Sequence, residues 1–118
     1  MNFFKESEFK CSCGCGLGFD DMDETFIERL NIARGWADVP FVITSSIRCK
    51  KHNAEVGGKA NSSHLIGLAV DIACPTSYIR YHVLRGLQVM KFNRFGIGKN
   101  FIHVDMDEDK PMELMWVY

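Results

Sequence analysis

From Asp20 the chain reads DDMDETFIERLNIARGW, and Phe26, Ile27, Leu30 and Ala33 recur at helical spacing behind a cluster of acidic residues that suits a helix N-terminus. The pattern predicts a helix ended by Gly35 and then Pro40. Phe41–Thr44 is an apolar, β-branched run suited to a buried strand, with Ser45 and Ser46 at its exit. Between Ile47 and Ser63 the chain turns polar, which predicts a short helix around Lys51–Val56, a break at Gly57 and Gly58, and then a loop. Leu68–Ala73 alternates, with Leu68, Val70 and Ile72 on one face and Ala69, Asp71 and Ala73 on the other, so a strand is expected. Pro75 and Thr76 break it. Ser77 then suits the cap of a second helix, whose apolar stripe is Ile79, Val83, Leu84, Leu87 and Met90. Strand signals close the chain at Arg94–Gly98, Phe101–Met106 and Met115–Tyr118, the last after a charged turn over Asp107–Pro111.

These elements predict an α+β fold, a small antiparallel sheet with flanking helices, in a single domain over residues 1–118. A chain of 118 residues that is 47% hydrophobic can bury about two-thirds of its unfolded surface without a dense disulfide scaffold. Phe26, Trp36, Phe41 and Phe92 are expected in its core. Trp116 and Tyr118 fit packing on the terminal strand better than the lining of a groove.

Fourteen Lys and Arg against fifteen Asp and Glu leave a net charge of -1, and no basic tract stands out, so a nucleic-acid partner is not expected. No apolar run approaches the ~18 residues of a membrane span. The opening Met1–Lys10 is polar, without the apolar centre of a signal peptide, so synthesis in the cytoplasm, with export by other means, is expected.

The two alternating strands put polar ligand types on one face: Asp71 on the first, His103 with Asp105 on the second. Antiparallel pairing would bring His103 near Asp71, and His64, in the loop just before, can close over the same spot. Imidazole nitrogen and carboxylate oxygen suit Zn²⁺, and three protein ligands leave a fourth position open, as catalytic sites do. The bland alternative is a sheet-face histidine satisfied by hydrogen bonds.

The stretch Ser62-Ser-His64-Leu-Ile-Gly67-Leu-Ala69-Val-Asp71 matches all five fixed positions of the signature S-x-H-x-x-G-x-A-x-D, and so resembles the zinc D-Ala-D-Ala carboxypeptidase family of murein peptidases, peptidase M15. The segment from Val42 through Arg48, His52 and Asn53 to Gly58 is similar to that family's strand, Arg turn and Asn-Ala-x-Val-Gly-Gly run. Phe95–Gly98, the F-x-H-x-D run Phe101–Asp105 and the opening Phe9–Gly16 resemble its small single-domain, phage-endolysin-like branch.

The resemblance implies a Hedgehog/DD-peptidase-like fold and one zinc ion held by His64, Asp71 and His103. Zinc would polarise the scissile carbonyl and lower the pKa of water towards ~7. It further implies a peptidoglycan stem or cross-bridge peptide as substrate, with Arg48 near a substrate carboxylate and Ser62 either bonding substrate or holding the ligand loop. The expected protein is a monomeric zinc peptidase, an endopeptidase or D-Ala carboxypeptidase, that acts at the bacterial cell wall after phage-mediated release. His52 and His82 lack motif context and read as helix-surface residues. Gly67 reads as permitting a tight backbone beside the metal.

One position departs from the family. Better-known members place an acidic residue three positions before the last zinc histidine, where this chain has Asn100, an amide that cannot accept a proton. Asp105 is then the candidate base, with orientation of His103 as its alternative role. If no base is present, the runner-up is a zinc-containing wall-binding or virion module.

Five cysteines are an odd number, three of them in Cys11-Ser-Cys13-Gly-Cys15. A disulfide from this turn to Cys49 or Cys74 is expected if the protein works outside a reducing cytosol, a second metal is the weaker expectation, and inert buried thiols are a further one, particularly at Cys74.

Overall fold

A computed structural model describes residues 3–118; the first two residues of the polar opening lie outside the described residues. Among them run helix α1 (Glu24–Ala37), strand β1 (Ile43–Ser45), helix α2 (Lys50–Glu55), strand β2 (Ala69–Ala73), helix α3 (Ser77–Val89) and strands β3 (Arg94–Ile97), β4 (Phe101–Asp105) and β5 (Leu114–Val117). Single-turn 3₁₀ helices lie at Glu6–Phe9, Phe19–Asp21 and Ser63–Ile66. The result is the expected α+β arrangement, a small sheet with flanking helices.

The strands form one sheet in the order β1-β2-β4-β3-β5. Three of its four pairings are antiparallel, so the sheet is mostly antiparallel as expected, while β5 at its edge lies parallel to β3. The cause is the route of the chain: after β4 it passes through Asp107–Pro111 and re-enters on the far side of β3, where Leu114 N donates to Asn93 O. Periodicity reports which residues share a face, and is silent on strand direction.

Helices α1 and α3 cover one face. Val70, Ile72, Phe95, Ile102 and Val104 point into that layer, against Phe26, Leu30, Ala33, Val83 and Leu87, and all are buried. At about 25 cal/mol per Å², each such aliphatic or aromatic side chain contributes roughly 1.5–3 kcal/mol when fully buried. Phe41 and Phe92 join this core.

Trp36 does not: it is 57% exposed on the outer side of α1. Gly35 lies inside α1 rather than ending it, and Asp38 closes the helix in the left-handed conformation at φ 59°. Asp23 starts it by accepting from Phe26 N at 2.9 Å. In α3 the cap is Thr76, one residue earlier than expected, with its hydroxyl accepting from Ile79 N. Strand β1 starts at Ile43, because Phe41 turns into the core before the ladder begins.

Candidate metal centre

The opposite face of the sheet carries the chemistry. Register sets Asp71 of β2 directly across from His103 of β4, and Ala69 across from Asp105, so the alternation of both strands delivers these side chains to one surface. His64 arrives from the 3₁₀ turn Ser63–Ile66, which Ser62 caps by accepting from His64 N at 3.2 Å. Gly67 closes that turn at φ 72°, and a Cβ there would fall 2.3 Å from Asp21 O, so only glycine fits the turn against the N-terminal segment.

His64 Nε2 lies 3.3 Å and His103 Nδ1 3.0 Å from the same oxygen, Oδ1 of Asp71. Each imidazole is aimed by its other nitrogen. His64 Nδ1 sits 2.7 Å from Ser46 O, and His103 Nε2 2.8 Å from Asp105 Oδ2. The three potential ligand atoms lie within 4.8 Å of one another. Two imidazole nitrogens and a carboxylate oxygen, each oriented from behind and converging on one point, fit a borderline divalent cation such as Zn²⁺ and leave the fourth tetrahedral position to a water or substrate.

Electrostatics follow the same contacts. Burial alone would raise the Asp71 pKa, yet the bonds to His103 and His64 hold it far below the usual carboxylate range. Burial opposes charge on His103, but Asp105 and Asp71 on its two nitrogens raise its pKa above the ordinary value.

Asp105 has both oxygens engaged. Oδ2 meets His103, while Oδ1 accepts from Arg94 Nε at 2.6 Å and from Asp107 N at 3.3 Å. Against a burial penalty, His103 and Arg94 keep its pKa low. A buried carboxylate so held is placed to orient the imidazole. Asn100, where the resemblance expects an acid, is exposed in the β3–β4 turn and gives its carbonyl to Cys74 N at 2.8 Å.

Arg48 lies beside the cluster. Nε donates to Ser45 Oγ at 3.0 Å, and the two terminal nitrogens reach Asn53 Oδ1 at 3.3 Å and Asp71 Oδ2 at 3.4 Å. A guanidinium has five N–H donors, so two remain for another acceptor. The irregularity between Ile43 and Ser45 in β1 sets Ser45 opposite Asp71 and so brings this turn to the site.

Two participants carried no readable signal, and two more were expected to pack rather than to line a groove. Arg94 stood in a strand pattern and Asp107 in a charged turn. Yet Arg94 braces Asp105, and Asp107 accepts from Ser63 Oγ at 2.7 Å and pairs with Lys110 at 3.2 Å, fastening the His64 turn to the end of β4. The other two, Trp116 and Tyr118, lie on the site face. The Trp116 ring is 5.7 Å from that of His103 and 5.1 Å from the Arg94 guanidinium, over Gly96, where a Cβ would meet its indole nitrogen at 2.6 Å. Tyr118 is 67% exposed beside it. His52 and His82 stay on helices outside the cluster.

An α+β domain whose sheet presents an open two-histidine, one-aspartate centre has the makings of a metal-dependent hydrolase. Residues 2–105 match the family model Peptidase M15, and the chain belongs to that metallopeptidase family, in which a His-His-Asp metal site of this kind is typical and which implies a peptidase of peptidoglycan. No curated protein matches the chain. No helix among the described residues is long and apolar enough to cross a membrane.

Proposed function

We propose that the chain is a zinc-dependent peptidase that hydrolyses a peptide bond in murein stem or cross-bridge peptides. The observation that carries this is the convergence of His64 Nε2, Asp71 Oδ1 and His103 Nδ1, each aimed from behind, with no fourth protein ligand among the described residues of the cluster. Zinc, when bound there, supplies a Lewis acid for the scissile carbonyl and lowers the pKa of a water molecule to about 7.

The chain's own residues divide the remaining work. Arg48, with two donors free, binds a substrate carbonyl or carboxylate beside Asp71. Trp116 and Tyr118 form an aromatic wall for the peptide. Ser62 holds the ligand turn through its cap, and Asp105 orients His103 instead of serving as the base. The low residual basicity of Asp105 and the amide at Asn100 favour one further reading, a wall-binding module that retains the metal and cleaves slowly. The resemblance of Phe9–Gly16, Phe95–Gly98 and Phe101–Asp105 to the small phage-like branch supports action on the bacterial wall during lysis.

Purified peptidoglycan incubated with the zinc-loaded chain and with its His64→Ala variant tests this by mass spectrometry of the soluble fragments. New amino termini indicate an endopeptidase and freed D-Ala a carboxypeptidase, in either case absent with the variant. Binding to the wall without any metal-dependent product would replace the enzyme with the binding module.

A further inference from the structure

Among its described residues, the N-terminal segment up to Asp23 holds only two single turns of 3₁₀ helix, too little secondary structure to fix it by backbone bonding. It nevertheless seats Phe4, Phe9 and Cys11 in the core. Its three cysteines meet a fourth from elsewhere. Cys11 Sγ and Cys13 Sγ lie 3.5 Å apart, Cys13 Sγ and Cys49 Sγ also 3.5 Å, and the sulfurs of Cys11, Cys13, Cys15 and Cys49 all fall within 4.8 Å of one another.

All five cysteines are free thiols, and Cys74 is buried at the far end of β2 with its thiol on Ile72 O. The expected disulfide to Cys49 or Cys74 is therefore not formed. Four sulfurs around a zinc ion at about 2.3 Å define a tetrahedron with edges of about 3.8 Å, close to the two spacings found. The loop is shaped for this convergence. Cys11 N donates to Leu17 O at 2.9 Å to close it, and Gly14 and Gly16 turn it through φ 78° and 96° with nothing near where a Cβ would stand. Glycine is there for its backbone, which swings alternate cysteines inward rather than along a strand. On the other side, Cys49 Sγ accepts from His52 N at 3.3 Å, which fixes the direction of that sulfur.

We infer that Cys11, Cys13, Cys15 and Cys49 form a second metal site, a closed tetrathiolate centre that takes zinc(II). Its chemistry is the complement of the His64 centre: four soft ligands and no open position, which suits a structural ion. Each ligating thiol gives its proton to solvent as the metal enters. The centre ties the N-terminal segment to the residue next to Arg48, so the loop that reaches Asp71 is anchored by a metal crosslink in place of a disulfide.

The chain is loaded with zinc, desalted and counted by native mass spectrometry, beside His64→Ala and the double variant Cys13→Ser/Cys15→Ser, whose two sites are exposed. The expected counts are two ions for the unaltered chain and one for each variant. X-ray absorption at the zinc edge should give a sulfur-only shell at about 2.3 Å in His64→Ala and a nitrogen and oxygen shell in the double variant. A His64→Ala chain that binds no zinc, or binds it without sulfur, overturns this inference and leaves the proposed function standing. Zinc held by sulfur alone in the unaltered chain, at one ion per molecule, does the reverse.

Discussion

Replacing Asp105 with asparagine separates the two roles open to it. The carboxylate accepts from His103 Nε2 at 2.8 Å through one oxygen and from Arg94 Nε at 2.6 Å through the other. Asparagine keeps the shape but supplies one acceptor and one NH₂. With the NH₂ towards His103, Nε2 must become an acceptor and the proton moves to Nδ1, the atom that should ligate. With the NH₂ towards Arg94, two donors face each other and a buried guanidinium loses its counter-charge. Loss of such an orienting carboxylate typically costs 10–100-fold in metal affinity. Removing one partner of a buried ion pair costs roughly 3–5 kcal/mol, and Arg94 is 9% exposed in its side chain. The expected result for Asp105→Asn is thus a 10–100-fold weaker zinc complex by chelator competition, together with a loss of about 3 kcal/mol in urea unfolding of the metal-free chain. Unchanged affinity and stability with abolished turnover would refute this reasoning and make Asp105 the base.

Three other substitutions probe the supports of the site. Gly67→Ala must hold an L-residue at φ 72° and drive a Cβ to 2.3 Å from Asp21 O, so a loss of about 2–5 kcal/mol is expected in denaturant titration; a loss under about 1 kcal/mol would mean that the turn relaxes freely. Asp107 is held below the usual carboxylate value because, against its burial, Ser63 and Lys110 bond its charged form. A folded pKa below the unfolded one contributes stability above about pH 4 that is lost as pH falls through the folded value. Asp107→Asn should therefore flatten the acid limb of the stability curve, and curves that run parallel to the unaltered chain's would exclude the ionic clamp. Trp116→Ala removes the ring beside His103 and Arg94, and a rise in KM of about tenfold with unchanged zinc content is expected for a wall of the peptide groove; weakened metal binding instead would make it a brace for His103.

The centre was legible because period two is a strict rule. Once Leu68–Ala73 and Phe101–Met106 are read as strands, Asp71, His103 and Asp105 have to leave the side occupied by Val70, Ile72, Ile102 and Val104, and antiparallel pairing has few registers in which polar residues meet. The observed register, Asp71 across from His103, is one of those that keep both apolar rows on the helix side. The helices were legible for a similar reason, since Leu30, Ala33, Val83 and Leu87 repeat at the spacing of a buried stripe. Trp36 failed the same test because an aromatic residue beside a stripe says nothing of where the stripe ends, and α1 turns it outward.

What escaped the sequence depends on contacts between segments that periodicity does not relate. Arg94 becomes a brace only because β3 pairs with β4 and returns its side chain to Asp105. Trp116 reaches His103 only because β5 crosses to the outer edge and lies parallel to β3, opposite a glycine. The same holds for Cys49, which has no ligand spacing to Cys11, Cys13 and Cys15 in the chain and joins them only through folding. Each cluster therefore joins a local motif to one residue that only folding brings to it, His103 to His64 and Asp71, and Cys49 to Cys11, Cys13 and Cys15. Damage to the core layer behind β2 and β4 should loosen the His64 centre, whereas the cysteine cluster, set in the N-terminal loop, should respond first to loss of its metal.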